Sequence, residues 1–352
     1  MTMDATFKPP PAQQSRLRVA LLRGSDTAST DVQSGVMRVK LKGNNDYWRI
    51  VALDRFEVTR FQLAPNYFRT PRRWDFSQFD VVLNTITDPD QNPKTIKVVE
   101  RITRGFDHVV NRPEVLQTTT RSEVAKRLES TPKLVVPKVI RLRYPTLERL
   151  RARVAEHAFR FPAILRQAGM HTGKIIGVVD RAEDLDPVFG DRKHEYFLTE
   201  FVNFASADGL YRKMRVFFIG NEVLFKHLIV SSQWNVHAKD RADIMAGRDD
   251  LRREEQQLVE GGFTTFRVGI DDCLREIKSR IKLDYFGMDC ALLADGRLVL
   301  FELNATMNFF PLSPDPRFAY LQAGVEPAKE AMSRLLASRA RSTTPNKPAP
   351  MP

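Results

Sequence analysis

Two acids and an amide late in the chain are spaced to converge on one point. Asp289 lies in the apolar run Gly287 to Ala294, and Glu302 and Asn304 stand at the end of the run that starts at Leu298. Asp295-Gly296 between the runs predicts a hairpin. Residues two apart on a strand share a face, so Glu302 and Asn304 point together. Asp289 and Glu302 are equally far from the turn, which sets them opposite each other. Carboxylates on a sheet otherwise built of Leu, Val and Phe are costly unless paired or bound. Two carboxylates and a carboxamide make a hard, incomplete oxygen set that suits magnesium, with phosphate oxygens and water completing its shell; manganese can substitute. The same spacing also fits a surface hairpin whose Glu302 and Asn304 face solvent.

The elements that would position this set alternate along the chain. Leu17 to Leu22, Trp48 to Leu53, Phe56 to Phe61, Phe79 to Asn84 and Val109 to Asn111 read as strands, and Pro93 to Ile102 has helical spacing. This alternation predicts a small α/β unit with a parallel sheet. Ser122 to Leu128 is a short helix, and Leu134 to Leu142 reads as one strand containing Pro137. Thr146 is placed to cap a helix with apolar positions Leu147, Leu150 and Val154. Phe161 to Arg166 and Ile175 to Val179 are strands flanking the loop Gly169 to Lys174. Farther on, Glu195 to Val202 is a strand, and Lys213 to Ile219 with Glu222 to Val230 forms a hairpin in which Lys226 shares its face with Leu224 and Leu228. Arg241 to Glu260 is expected to be one charged helix, and Asp271 to cap another running to about Lys282. The fold class is therefore α/β, becoming α+β in the C-terminal half.

Composition narrows the partners. No apolar run reaches the roughly 20 residues of a membrane-spanning helix, and the polar start of the chain lacks the apolar segment of a secretory signal, so a cytoplasmic protein without a membrane partner is expected. Cys273 and Cys290 are too few for a disulfide framework or a zinc cluster, and buried structural thiols are expected. The net charge of +12 suits polyanions, yet zinc-finger spacing, RNA-binding aromatic motifs and dense basic blocks are all missing, so nucleic acid is not expected. A nucleotide with an acidic substrate accounts for part of the excess.

Over roughly residues 80–310 the sequence resembles the ATP-grasp superfamily, especially its glutathione synthetase and ribosomal-protein glutamate ligase branch. Gly287-Met-Asp289, the hairpin, and Glu302-Leu-Asn304-Ala-Thr306 are similar to the last motif of that group. Phe161-Pro-Ala-Ile-Leu-Arg166 is similar to its phosphate-contacting strand, with Arg166 where the family has lysine; Pro137-Lys138 resembles the start of the first strand. Lys213-Met-Arg-Val-Phe-Phe-Ile-Gly220 is similar to the strand that carries the substrate-side arginine, with Lys213 in place of an acid.

Proline-rich, polar composition predicts disordered tails at 1–15 and 341–352; the resemblance implies a pre-ATP-grasp α/β domain (16–112) and two α+β subdomains clasping ATP (113–203 and 204–340). It implies ATP and one or two magnesium ions, the metal on Asp289, Glu302 and Asn304. Lys138, Arg166 and the loop residues His171, Thr172, Gly173 and Lys174 would meet the phosphates. The backbone of Glu200, Phe201 and Val202 would pair with adenine, Asn203 or Asp208 would take the ribose, and Arg215 would act in catalysis. The implied activity is an amide-forming carboxylate–amine ligase working through an acylphosphate, on small-molecule or peptide substrates. A kinase acting on a polyanionic small molecule and a nucleotide-binding module without turnover are the other two readings.

Overall fold

The computed structural model describes residues 16–33, 36–63, 74–143, 146–167, 175–185, 195–262 and 269–341. The first unit comprises strand β1 (Leu17–Gly24), a small hairpin of β2 (Ala28–Gln33) and β3 (Val36–Leu41), then β4 (Phe56–Leu63), β5 (Val81–Asn84), helix α1 (Pro93–Ile102) and β6 (Val109–Val110). Strands β4, β1, β5 and β6 form a parallel sheet in that order. Its central strands are buried on both faces, as their unbroken apolar runs require. Ala20, Leu22 and Val82 pack with Ile96 and Val99 of α1, while Val19, Leu21, Val81 and Leu83 face the rest of the molecule. The segment expected as a strand from Trp48 to Leu53 is instead a 3-10 turn, Tyr47–Ile50. Tyr47 and Ile50 are both fully buried, and a spacing of three puts them on one side of such a turn.

A second unit follows through α2 (Pro113–Leu116) and α3 (Arg121–Leu128). The expected strand from Leu134 to Leu142 splits into β7 (Leu134–Val135) and β8 (Val139–Leu142), which belong to different sheets. Pro137 lies between the pieces, and having no N–H it cannot continue either ladder. Helix α4 (Leu147–Glu156) starts at Thr146, whose side chain accepts from Arg149 N–H at 3.2 Å. With β9 (Ala163–Gln167), β10 (Ile175–Val179) and β11 (Tyr196–Glu200), β8 completes an antiparallel sheet ordered β10-β9-β11-β8.

The third unit holds β12 (Tyr211–Ile219), β13 (Glu222–Ser231), α5 (Asp240–Asp243), α6 (Asp249–Gly261), α7 (Asp271–Arg280), β14 (Tyr285–Leu292), β15 (Leu298–Asn304) and α8 (Val325–Arg339). Its sheet runs β13-β12-β14-β15-β7. The helix expected over Arg241 to Glu260 is broken by the 3-10 turn Met245–Gly247. Arg252 of α6 turns back to donate to the carbonyls of Met245 and Ala246, at 2.9 and 2.6 Å, so the break leaves those acceptors satisfied. Asp271 begins α7 in its first turn and does not cap it by a side-chain bond. Helix α8, which sequence patterning did not pick out, lays Ala328, Ala331, Met332, Leu335 and Leu336 into the core shared with β1 and β5. Among the described residues no helix is long and apolar enough to cross a membrane.

Candidate active site

The β14–β15 hairpin turns at Gly296, whose φ of +80° suits glycine. Its register sets Asp289 directly opposite Glu302 and Gly287 opposite Asn304. Between Asp289 and Cys290 the register jumps, leaving Phe301 as an extra residue on β15. Such a bulge frees a backbone group from the ladder, and here the Phe301 carbonyl accepts from Arg121 Nη1 at 2.8 Å. Arg121 Nη2 also lies 3.2 Å from Glu302 Oε1. This arginine at the start of α3 was not among the sequence-derived candidates. The helix was expected to begin at Ser122, and nothing in the polar run Thr118-Thr119-Thr120-Arg121 shows that its side chain reaches a strand so far along the chain.

Asp289 is 5 % exposed. Burial alone would raise its pKa, but Arg215 and then Lys213 outweigh that and hold it below the ordinary carboxylate value. Arg215 Nε donates to Oδ1 at 2.7 Å and Nη2 to Oδ2 at 2.9 Å, a two-pronged pair. Lys213 Nζ stands 3.7 Å from Oδ2 and donates to the Val236 carbonyl at 2.8 Å. Both cations reach this face because they alternate on β12, with Arg215 in register with Asp289.

Glu302 Oε1 accepts from Asn304 Nδ2 at 3.0 Å, and Asn304 Oδ1 accepts from Thr306 N–H at 2.9 Å. Among the described residues none donates a hydrogen bond to Glu302 Oε2. Arg166 enters from β9 across the cleft. Burial, and then the neighbouring Arg121, push its guanidinium down to about 10, against the pull of Glu302 and Asp289. It has no hydrogen-bond partner among the described residues. Two like charges held together over two carboxylates are a setting for an anion.

Arg121, Arg166, Lys213, Asp289 and Glu302 line a solvent-open cleft of about 700 Å³. Apolar side chains share this lining, Val202, Val236 and Phe201 among them, and Phe201 meets Trp234 edge-on with ring centroids 5.4 Å apart. An adjoining pocket shares Arg121, Arg166 and Glu302 and extends to Thr87 and Thr306, whose hydroxyls lie 3.2 Å apart.

The structure does not bring every expected residue to the cleft. Lys138 Nζ donates to the carbonyls of His157 and Ala158, both at 2.9 Å, behind the strand. The N–H groups of Glu200 and Phe201 donate to Lys138 and Pro162 carbonyls at 3.0 and 2.9 Å. Of the three residues expected to read the base, only Val202 thus keeps its N–H clear of a described backbone carbonyl. Asp208 is forked by Arg212 at 2.9 Å twice, which lowers its pKa to about 2, and Asn203 accepts from Ala205 N–H at 3.1 Å; neither lines the cleft. His171, Thr172, Gly173 and Lys174 lie outside the described residues. Cys273 and Cys290 are buried free thiols, and burial pushes Cys273 up to about 11.

Among the described residues no three His, Cys, Asp or Glu side chains gather as metal ligands. The oxygen set is two carboxylates and one carboxamide. Glu302 and Asn304 fit a magnesium ion: the carboxylate is about one-third exposed, and the amide oxygen retains acceptor capacity. Asp289 fits poorly, because Arg215 fixes its carboxylate in a fork and Lys213 adds a second cation 3.7 Å away, so a divalent ion would meet both charges.

No protein-family profile matches the chain, and no curated protein matches it. Solved structures do. The D-Ala:D-Ser ligase VanG from Enterococcus faecalis superposes with a TM-score of 0.52 at 12 % identity, over 92 % of this chain and 100 % of that one. The macrocyclase MdnC from Microcystis aeruginosa MRC, bound with precursor peptide MdnA, gives 0.50 at 13 % identity, over 92 % and 100 %. A Chryseobacterium gregarium RiPP-associated ATP-grasp ligase, in complex with ADP and a leader and core peptide, gives 0.50 at 10 % identity, over 92 % and 98 %. At these identities the likeness is one of fold, and it is the ATP-grasp fold.

Proposed function

We propose that the chain is an ATP- and magnesium-dependent ligase that joins a carboxylate to an amine through an acylphosphate. The observation that carries this reading is the polarity of the cleft. Aromatic and apolar side chains, Phe201, Val202 and Trp234, share its lining with Arg121, Arg166, Lys213, Asp289 and Glu302, and Arg215 is held beside it by Asp289. A purine would lie against the aromatic side chains and its phosphates against the cations. Two fold relatives named above are ligases by their titles, and one of them holds ADP.

In this reading Arg166 and Arg121 bind phosphate oxygens and hold the triphosphate in line. Arg215 has three N–H donors beyond the two that Asp289 accepts, and these orient the substrate carboxylate. Magnesium, with Glu302 and Asn304 to hold it, supplies positive charge to the phosphates. A carboxylate oxygen attacks the γ-phosphorus and ADP leaves. The amine then attacks the acyl carbon, phosphate departs with the proton that the amine nitrogen gives up, and an amide remains. Positioning and charge neutralisation suffice, and no nucleophilic side chain is required.

Thermal unfolding with and without ATP–Mg²⁺ tests the nucleotide site: the wild type should gain stability and Glu302→Ala should lose that gain. ADP release should then require both a carboxylate and an amine, and hydroxylamine should trap an acyl hydroxamate. A stable phosphorylated product would show a kinase. Binding without ADP formation would show a module lacking turnover. An unchanged melting temperature of the wild type would remove the proposal.

A further inference from the structure

Asp289 and Glu302 face each other in one hairpin, yet they are held in opposite ways. Asp289 lines the cleft, and each of its oxygens accepts a hydrogen bond from Arg215, at 2.7 and 2.9 Å. Lys213 adds a second cation 3.7 Å away. Neither cation is loosely placed. Arg215 sits directly opposite Asp289 in the ladder, and Lys213 is anchored by the Val236 carbonyl. One carboxylate therefore answers two cations, and a divalent ion brought to it would meet their combined repulsion. Magnesium also demands close octahedral contacts from oxygens free to turn toward it. A carboxylate clamped in a guanidinium fork is not free to turn.

Glu302 also has two cations near it, Arg121 and Arg166, but no guanidinium forks both its oxygens. Its carboxylate is about one-third exposed, Arg121 approaches one oxygen only, and Asn304 stands beside it on the same strand face. Resting on the ATP reading above, we propose that the nucleotide complex of this chain holds a single divalent ion, at Glu302 and Asn304. Asp289 is the anchor that aims Arg215 and Lys213 at the ligand's anionic oxygens, where a second ion would otherwise stand. Asp289 is in this account a positioning residue, and the fork leaves three guanidinium donors and the ammonium charge for the ligand.

The test counts metal directly. The full chain is saturated with the non-hydrolysable analogue adenylyl imidodiphosphate and titrated with Mn²⁺, bound and free ion being separated by electron paramagnetic resonance. One Mn²⁺ per nucleotide-bound chain is expected, and two would overturn the proposal. Glu302→Gln should weaken Mn²⁺ binding by more than about tenfold, whereas Asp289→Asn should leave the Mn²⁺ count and affinity unchanged while weakening the analogue itself. A lost Mn²⁺ site in Asp289→Asn, in a chain that circular dichroism shows folded, would overturn it as well. Should that variant not fold, the count on the unaltered chain decides. Failure of the analogue to bind with any metal would remove the ATP reading and this inference with it, an outcome distinct from finding two ions.

Discussion

Arg121 of α3 and Arg166 of β9 both line the cleft near Glu302. Each guanidinium disfavours the other until phosphate arrives, so removing either should show in nucleotide affinity more than in stability. Arg121→Ala is expected to weaken ATP–Mg²⁺ binding about tenfold, the equivalent of roughly 1.4 kcal/mol, measured by calorimetric titration. Thermal stability without ligand should change little. Lys226 makes a different case. It is 5 % exposed, its Nζ has no hydrogen-bond partner, and it rests 4.1 Å over the Phe309 ring. Burial first, then Arg241, push its pKa down to about 7. Between about 7 and the ordinary lysine value the unfolded chain binds a proton that the folded chain does not, so stability rises with pH across that window. Below it the charged amine is buried at full cost. Lys226→Met should therefore stabilise the protein on the order of 1–3 kcal/mol at pH 6, with the gain shrinking toward pH 10. Urea unfolding at the two pH values measures this, and a gain independent of pH would contradict it.

Elements place these side chains through departures from regular structure. In β13 the register slips opposite Arg215 and Val216, making Lys226 an inserted residue. Leu224 consequently packs toward the core shared with the parallel sheet, and Leu228 toward the other face. Simple alternation had set both on the face of Lys226, and a bulge is invisible to a period-of-two reading. The hairpin of Asp289, Glu302 and Asn304 was legible because its turn residues and apolar alternation agree with each other. The 3-10 turn at Tyr47–Ile50, the split at Pro137 and the partner strand of Arg121 were not, because distant packing decides them. Gly287 shows a close approach that sequence alone marks only as a glycine. A Cβ there would lie 2.8 Å from both Cβ and Sδ of Met307 and 3.0 Å from a Phe217 ring carbon. Gly287→Ala should destabilise by about 1–3 kcal/mol through overpacking. Because Gly287 pairs with Asn304, the variant should also reduce the thermal gain from ATP–Mg²⁺.

At the scale of the whole molecule, the parallel sheet meets the strand that carries Asp289 through a shared apolar core and through the polar contacts of Asn111. Its φ of 55° is one that asparagine tolerates better than most residues. From there its N–H donates to Asp284 Oδ2 at 2.7 Å and its Nδ2 to the Tyr285 carbonyl at 2.7 Å. Its Oδ1 accepts from the N–H groups of Asp284 and Tyr285 at 2.8 and 3.0 Å. Arg339 of α8 pairs with the same Asp284, so three parts of the chain meet at the start of β14. Asn45 and Tyr47 add donors to the Ala305 carbonyl, just past Asn304. The strand bearing Asp289 and the segment following Asn304 are thus both held from the first unit. Asn111→Ala would leave several buried donors and acceptors unpaired and put at positive φ a residue that tolerates it less well than asparagine, a cost on the order of 4 kcal/mol. Asn111→Asp keeps the acceptor and the tolerated φ but sets a second carboxylate beside Asp284, so its cost should fall as pH is lowered toward 4. Urea unfolding of the two variants at pH 7 and pH 4.5 separates these effects. If the contact also sets the hairpin's geometry, Asn111→Asp should bind ATP–Mg²⁺ more weakly at pH 7 and recover affinity, relative to wild type, at the lower pH.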